Sequence, residues 1–388
     1  MRRKLGILML LTVIVLYGCG NGDNDNEQEY EPEVERYEES EEELELSHVD
    51  DNEQVDIIIT EPREFDVTQG EHGYLGVQWI EHMNDNLPNR LAFSDRELET
   101  AEWLVEELLD MGFDEDQVEV QTFDINTSTS SWWGDASWSI EWFEEIGYYD
   151  GLELLDFSQN VILTIPGLVE ETIIIGAHYD GVGYPGISDN ASGTVLLLES
   201  AYHMQNVDHY YTLQYIFFGA EEVGLIGAFY FVDNMTQEEI DNVALMINAD
   251  VIMDGPDLVY SIGYIEELPD IPNEILWETP EIAQNALSEQ VKEIADHLND
   301  VQGTELISKP LGITLSSDQL AFVQFGMPVM VFYATHPVEH PELFDGDVLH
   351  SENDCLDFLM ENHPGRVERA LHEFGLFLEE VLSSELVQ

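Results

Sequence analysis

The chain predicts an α/β domain, a mixed and mostly parallel β-sheet sandwiched between helices, and two observations carry that prediction. Short runs of β-branched and aromatic residues, such as Thr172–Gly176, Tyr211–Phe218 and Val243–Ile247, have the character of strands buried on both faces. Apolar helical stretches alternate with them, Ala191–Met204 after the first and Gly224–Met235 after the second. Alternation of this kind yields parallel strands joined by crossover helices.

Taken in order, the elements are these. Leu98, Ala101, Leu104, Val105, Leu108 and Leu109 recur at helical spacing between Asp95 and Gly112, predicting a helix that Gly112 ends. A strand follows over Val118–Phe123, and the Ser-, Trp- and Tyr-rich segment 127–150 reads as a surface excursion. Regular alternation sets in at Asn160. Further helices are expected near 280–299, 316–325 and 364–384, with a strand over Met327–Tyr333.

The 388 residues, 44% of them hydrophobic, suffice for one large α/β domain or two modest ones. Acidic residues number 82 against 11 basic, a net charge of −71. Nucleic acid is excluded as a partner, because phosphate binding needs clustered Lys and Arg. Such charge suits a saline or alkaline exterior, where salt relieves self-repulsion; attraction of cationic substrates is the alternative.

Residues 1–19 combine a basic start, an apolar run from Leu5 to Tyr17 and small residues, a secretory signal too short for a membrane span. Leu16–Tyr17–Gly18–Cys19 resembles a bacterial lipoprotein processing site, which makes Cys19 the acylated first residue and the membrane, through that lipid, a partner. Residues 20–54 are acidic and nearly devoid of large apolar groups, a spacer unable to offset its ordering entropy. The domain proper is expected over 55–388. With Cys19 acylated, Cys355 has no cysteine to pair with and reads as a small buried hydrophobe.

In a parallel sheet the functional groups sit past the carboxyl ends of the strands. His178 and Asp180 follow the first strand, Glu221 and Glu222 the second, Asp250 the third, and Asp189 lies between the first strand and its helix. Singly each is weak: His–x–Asp also serves as a surface pair, a Glu doublet as solvated charge, and Asp250 as a cap. Jointly, carboxylates and imidazole on one sheet edge suit Zn²⁺ or a similar divalent ion. His203, inside an apolar helix, reads as a core or boundary histidine, and Ser317–Asp318 as a helix cap.

The segments GAHYDGVGYPGISDNASGT, FFGAEEVGLIGA, INADVIMD and LHSENDCLDF resemble, in order and spacing, the bacterial leucyl aminopeptidase-like di-zinc exopeptidases (metallopeptidase family twenty-eight), whose relatives include glutamate carboxypeptidases and glutaminyl cyclases. The likeness spans roughly residues 75–385 and is loose upstream of Asn160, where it rests on Arg90 and the helix after it. It implies the zinc-dependent exopeptidase fold and two Zn²⁺ ions per chain. His178 and Asp250 would hold one ion, Glu222 and His350 the other, and Asp189 would bridge them. Asp180 would orient His178, and Glu221 would be the general base. His350 is preferred over His336, His340 and His363 because Asp354 stands four residues on, although Leu349 replaces a Tyr that many aminopeptidases carry. The implied activity is hydrolysis of peptides from the N-terminus; with the N-terminal signal and Cys19 the enzyme is expected to be exported and membrane-tethered, a monomer being favoured while the oligomeric state stays open. The alternatives are a carboxypeptidase, a glutaminyl cyclase-like enzyme, or a non-catalytic binding lipoprotein. A carboxypeptidase needs basic residues for the substrate carboxylate, and Lys292, Lys309, Arg366 and Arg369 are the few candidates.

Overall fold

The computed structural model describes residues 65–125, 137–265, 282–311, 317–336 and 348–386. The expected signal segment, Cys19 and the acidic spacer lie outside them, as does His340. Two helices come first, α1 (Tyr74–Asn86) and α2 (Asp95–Asp110), then strand β1 (Val118–Asp124) and helix α3 (Ser137–Glu145). Strands β2 (Phe157–Ile165) and β3 (Thr172–His178) lead into α4 (Ser192–Met204), β4 (Thr212–Phe218), α5 (Ile226–Asp233), α6 (Gln237–Asp241) and β5 (Val243–Ala249). The remainder is β6 (Asp257–Ile265), β7 (Ile282–Ala283), α7 (Ala286–Val301), β8 (Leu306–Ser308), α8 (Gln319–Val323), β9 (Val329–Thr335), α9 (Leu356–Asn362) and α10 (Arg366–Ser383).

The strands form one sheet in the order β1-β2-β4-β3-β5-β9-β6-β7, with β8 beside β6. Its centre, β4-β3-β5-β9, is parallel, while β1-β2, β2-β4 and β6-β9 pair antiparallel. The mixed sheet between helices is the fold the sequence predicts, though its pairings divide evenly, four parallel and four antiparallel, rather than being mostly parallel. Alternate residues of each central strand feed opposite cores, as a period of two requires. Ile173, Ile175 and Ala177 of β3 pack toward α1, α2, α4, α7 and α10, whereas Ile174 packs toward α5 and α8. Each isoleucine removed from water in this way contributes about 1.5–3 kcal/mol, which is why β-branched runs occupy the centre.

Three elements depart from expectation. Residues 137–150 are not an excursion: Ile140, Phe143 and Tyr149 are buried in a third apolar cluster with Phe93, Phe123, Val182, Ala220 and Val223. Strand β2 starts three residues before Asn160, with Ser158, Gln159 and Asn160 all buried. The sequence also gave no sign of β6.

Candidate metal centre

The carboxyl ends of β3, β4 and β5 deliver side chains to one rim. His178 closes β3, Glu221 and Glu222 follow β4, and Asp250 follows β5. Asp189 sits in a tight turn, Ile187–Ala191, wedged between β3 and α4, and its peptide bond to Asn190 is cis. His350 arrives from the far end of the chain. The backbone is left-handed at Ala220 just before Glu221, at Val251 just after Asp250, and at His350 itself (φ 56°, 53° and 52°). Non-glycine residues held there cost of order 1–3 kcal/mol each and persist where the surroundings over-determine them.

Asp189 is the hub. Its Oδ1 lies 3.1 Å from His178 Nε2 and its Oδ2 lies 2.9 Å from His350 Nε2. Asp250 Oδ1 stands 3.3 Å from the same His178 nitrogen, and Glu222 Oε2 stands 3.4 Å from the same His350 nitrogen. The structure therefore brings together all five residues expected as ligands. Glu221, expected to stay clear of the ions, offers a carboxylate oxygen within 4.8 Å of donor atoms of His178 and Asp250. Asp180 accepts hydrogen bonds from the backbone N–H groups of Glu221 and Glu222 (3.0 and 3.1 Å), and its Oδ1 is 3.5 Å from His178 Nδ1. It thus fixes the glutamate turn, and stands beside the imidazole without a hydrogen bond to it. Of the other candidate histidines, His336 is buried near Asp254, and His363 is buried against Phe358.

Behind the rim lies a scaffold the sequence reading largely missed. Arg90, fully buried, donates to the carbonyls of Leu87, Tyr179, Pro185 and Gly186 at 2.6–3.2 Å. Asp354 accepts from Ser188 N (2.6 Å) and Asp189 N (3.1 Å), clasping the hub's own backbone. Burial raises its pKa to about 7, with the Asp189 charge adding and the N–H bonds and Arg90 opposing. Glu97, also buried, accepts from Ala220 N (2.9 Å), Phe93 N (2.6 Å) and Ser158 Oγ (2.8 Å). Three consecutive N–H groups, those of Ala220, Glu221 and Glu222, are thereby fixed by two buried carboxylates. Ser94 three residues before Glu97 was the one available signal, a helix start of the capping-box kind.

Asp318 corrects an expectation. It occupies the cap position of α8 but makes no capping bond; it is fully buried, and neither carboxylate oxygen has a hydrogen-bond partner. Burial and the negative charges of Asp250, Asp180 and Glu222 push its pKa well up, against the pull of His178. Cys355, expected as a buried hydrophobe, is half-buried at the start of α9.

Electrostatics give the rim its character. Burial lifts Glu222 to about 7, Asp189 adding to it and His350 opposing. Burial likewise pushes Glu221 well above the carboxylate range, reinforced by Glu222, Asp318 and Asp250. For His178, burial opposes protonation, but Glu221, Asp180, Asp189 and Asp250 outweigh it and hold its pKa well above the usual imidazole range. His178 Nδ1 and Glu222 Oε1 are buried without hydrogen-bond partners. Carboxylates converging on the Nε2 atoms of two imidazoles, with Glu222 Oε1 buried and unpartnered among them, are the composition of a site for divalent cations, and the residues present fit one.

Fold and rim together define an α/β protein with a carboxylate–imidazole cluster at the carboxyl edge of its sheet that could hold metal ions. Residues 160–375 match the profile of peptidase family M28, and the chain belongs to that family. Aminopeptidase YwaD of Bacillus subtilis is 35% identical over 99 residues, 24% of this chain and 22% of YwaD. The probable lipoprotein aminopeptidase LpqL of Mycobacterium tuberculosis is 37% identical over 98 residues, 24% of this chain and 20% of LpqL. Leucine aminopeptidase 2 of Trichophyton equinum is 29% identical over 198 residues, 48% of this chain and 37% of that protein. The chain thus spans about a fifth to two fifths of the length of these curated relatives. A solved zinc aminopeptidase from Bacillus subtilis superposes with a TM-score of 0.59 at 16% identity, covering 82% of this chain and 97% of that one. A glutaminyl cyclase from an Acidobacteriales bacterium gives 0.54 at 16% identity over 82% and 99%. At such identities the superpositions speak to the fold.

Proposed function

We propose that the chain is a metallo-aminopeptidase that binds two divalent cations, zinc by preference, and hydrolyses the N-terminal bond of peptides and proteins. The observation that carries this reading is the presentation of Asp189, whose two oxygens each face a different imidazole. His178 and Asp250 would hold one ion, His350 and Glu222 the other, with Asp189 shared. A pair of bound cations lowers the pKa of water between them and stabilises negative charge on the scissile carbonyl oxygen.

The chain's own residues do the rest. Glu221, held in place by the Asp180 bond to its N–H, takes a proton from the attacking water on its carboxylate and returns it to the departing amine. Asp180 and Glu97 keep the Glu221–Glu222 turn from drifting, and Arg90 and Asp354 do the same for the Asp189 turn. The acidic rim favours a substrate's free ammonium over a terminal carboxylate. Arg369, one of the few basic candidates for carboxylate binding, already donates to Glu305, Glu373 and the Pro256 carbonyl, and Lys292 pairs with Asp296 on the surface. Export and tethering through Cys19 complete the proposal, supported by the lipoprotein description of LpqL.

Hydrolysis of leucyl anilide and of its N-acetylated form tests the reading. Cleavage of the free amine alone is expected. Cleavage of the blocked form alone, or cyclisation of an N-terminal glutaminyl peptide without hydrolysis, would reject it.

A further inference from the structure

A second group of metal-donor side chains lies on the helical side of the sheet, at the opposite end of α4 from Asp189. His203 is eleven residues into α4, roughly 16 Å along the helix from its start. One ring nitrogen of His203, one of His72 and one carboxylate oxygen of Glu379 lie within 4.8 Å of one another. His72 just precedes α1, and Glu379 belongs to α10, so three separate helical elements converge.

The site is built rather than incidental. His72 is 94% buried, its Nε2 is 2.6 Å from Glu379 Oε2, and its Nδ1 has no hydrogen-bond partner. Gly375, one turn before Glu379 on α10, makes room for the ring: a Cβ there would stand 2.8–3.0 Å from His72 Cβ, Nδ1 and Cγ. The backbone around His72 is fixed from both helices. His372 Nδ1 donates to the His72 carbonyl (3.0 Å), and Glu199, one turn before His203 on α4, accepts from Gly73 N (2.8 Å) and Leu75 N (2.9 Å). The two imidazole rings are tilted at 42° to each other with centroids 4.2 Å apart.

We infer that His72, His203 and Glu379 form a separate structural site for a borderline transition-metal dication such as Zn²⁺, pinning the starts of α1 and the ends of α4 and α10 to one another. Two imidazoles and one carboxylate match the donor preference of Zn²⁺; tetrahedral ligation at about 2.0–2.2 Å sets donors about 3.4 Å apart, so an ion would open the 2.6 Å His72–Glu379 contact and seat itself between the three groups. Because α1 leads directly into Leu87 and Arg90, an ion here would also steady the scaffold beneath the catalytic rim.

The test is zinc stoichiometry on the full chain, stripped with chelator and equilibrated against Zn²⁺, for the wild type, H203Q and E379Q. Glu379 is 38% exposed in its side chain, so E379Q is the variant best able to keep the native circular dichroism spectrum. Each variant is expected to bind one zinc fewer than the wild type, and to show a smaller rise in melting temperature on zinc addition. E379Q combined with Asp189→Asn is expected to bind one zinc fewer than Asp189→Asn alone, which separates this site from the catalytic centre whatever that centre does. Equal zinc counts and equal thermal shifts in natively folded E379Q and wild type would overturn the proposal and leave a His72–Glu379 ion pair only.

Discussion

Arg90→Lys probes the scaffold that aims the metal centre. Arg90 spends its guanidinium on four backbone carbonyls in two turns, those of Leu87 before it and of Tyr179, Pro185 and Gly186 around the Asp189 loop. Burial lowers its pKa to about 10, and the charges of Asp354, Asp180, Asp189 and Glu222 oppose that, so it stays cationic at neutral pH. Lysine keeps the charge but replaces a planar fork by a point donor. Its ammonium reaches two of those carbonyls at best, leaving at least two buried acceptors without a donor. At about 1–3 kcal/mol for each such group, the loss is about 2–6 kcal/mol, a large part of a stability of about 5–15 kcal/mol. Urea unfolding followed by tryptophan fluorescence reads this as a lower midpoint at unchanged slope. A variant within about 0.5 kcal/mol of the wild type, the ordinary range for a surface change, would refute the claim that these four bonds hold the loop.

Other outcomes follow from the same geometry. Glu221→Gln keeps the backbone bond to Asp180 and removes the proton carrier, so turnover should fall about 10²–10⁴-fold while metal content stays unchanged; near-full activity would remove Glu221 from the mechanism. His350→Gln should lower metal content and His336→Gln should not, and the reverse pattern would move the fifth ligand. Raising salt from about 0.1 M to about 1 M shortens the screening length from about 10 Å to about 3 Å. With a net charge of −71 the melting temperature should therefore rise; a flat salt profile would contradict an acidic surface in mutual repulsion.

The centre of the sheet was legible because Ile173, Ile174 and Ile175 form a short β-branched run, which suits a central strand buried on both faces, as they are. The edge was harder. Strand β2 opens with Phe157 followed by Ser158, Gln159 and Asn160, polar residues that hide its start from a periodicity argument. Their partners, the Glu97 carboxylate, the Tyr179 hydroxyl and the Gly227 carbonyl, come from distant parts of the chain. Strand β6 carries Ser261 and Gly263 within its apolar run, and its pairing with β9 is likewise set only by the fold.

The same limit applied to the site. His178, Asp189, Glu221, Glu222 and Asp250 stand at strand ends or a strand–helix turn, where the chemistry of an α/β sheet collects. Glu97 and Asp318 do not announce themselves in a chain with 82 acidic residues, because whether an acid is solvated or buried is decided by elements remote in sequence. His72 and His203 are separated by well over a hundred residues and meet only because α1 docks on α4.

The central claim is that Asp189 is shared between two ions, and metal analysis of Asp189→Asn against the wild type tests it most directly. Oδ1 and Oδ2 face His178 and His350 respectively, so loss of the carboxylate charge should weaken both positions at once. At a zinc concentration that just saturates the wild type, the variant is expected to carry two ions fewer per chain. A variant that loses one ion or none would contradict a bridging carboxylate.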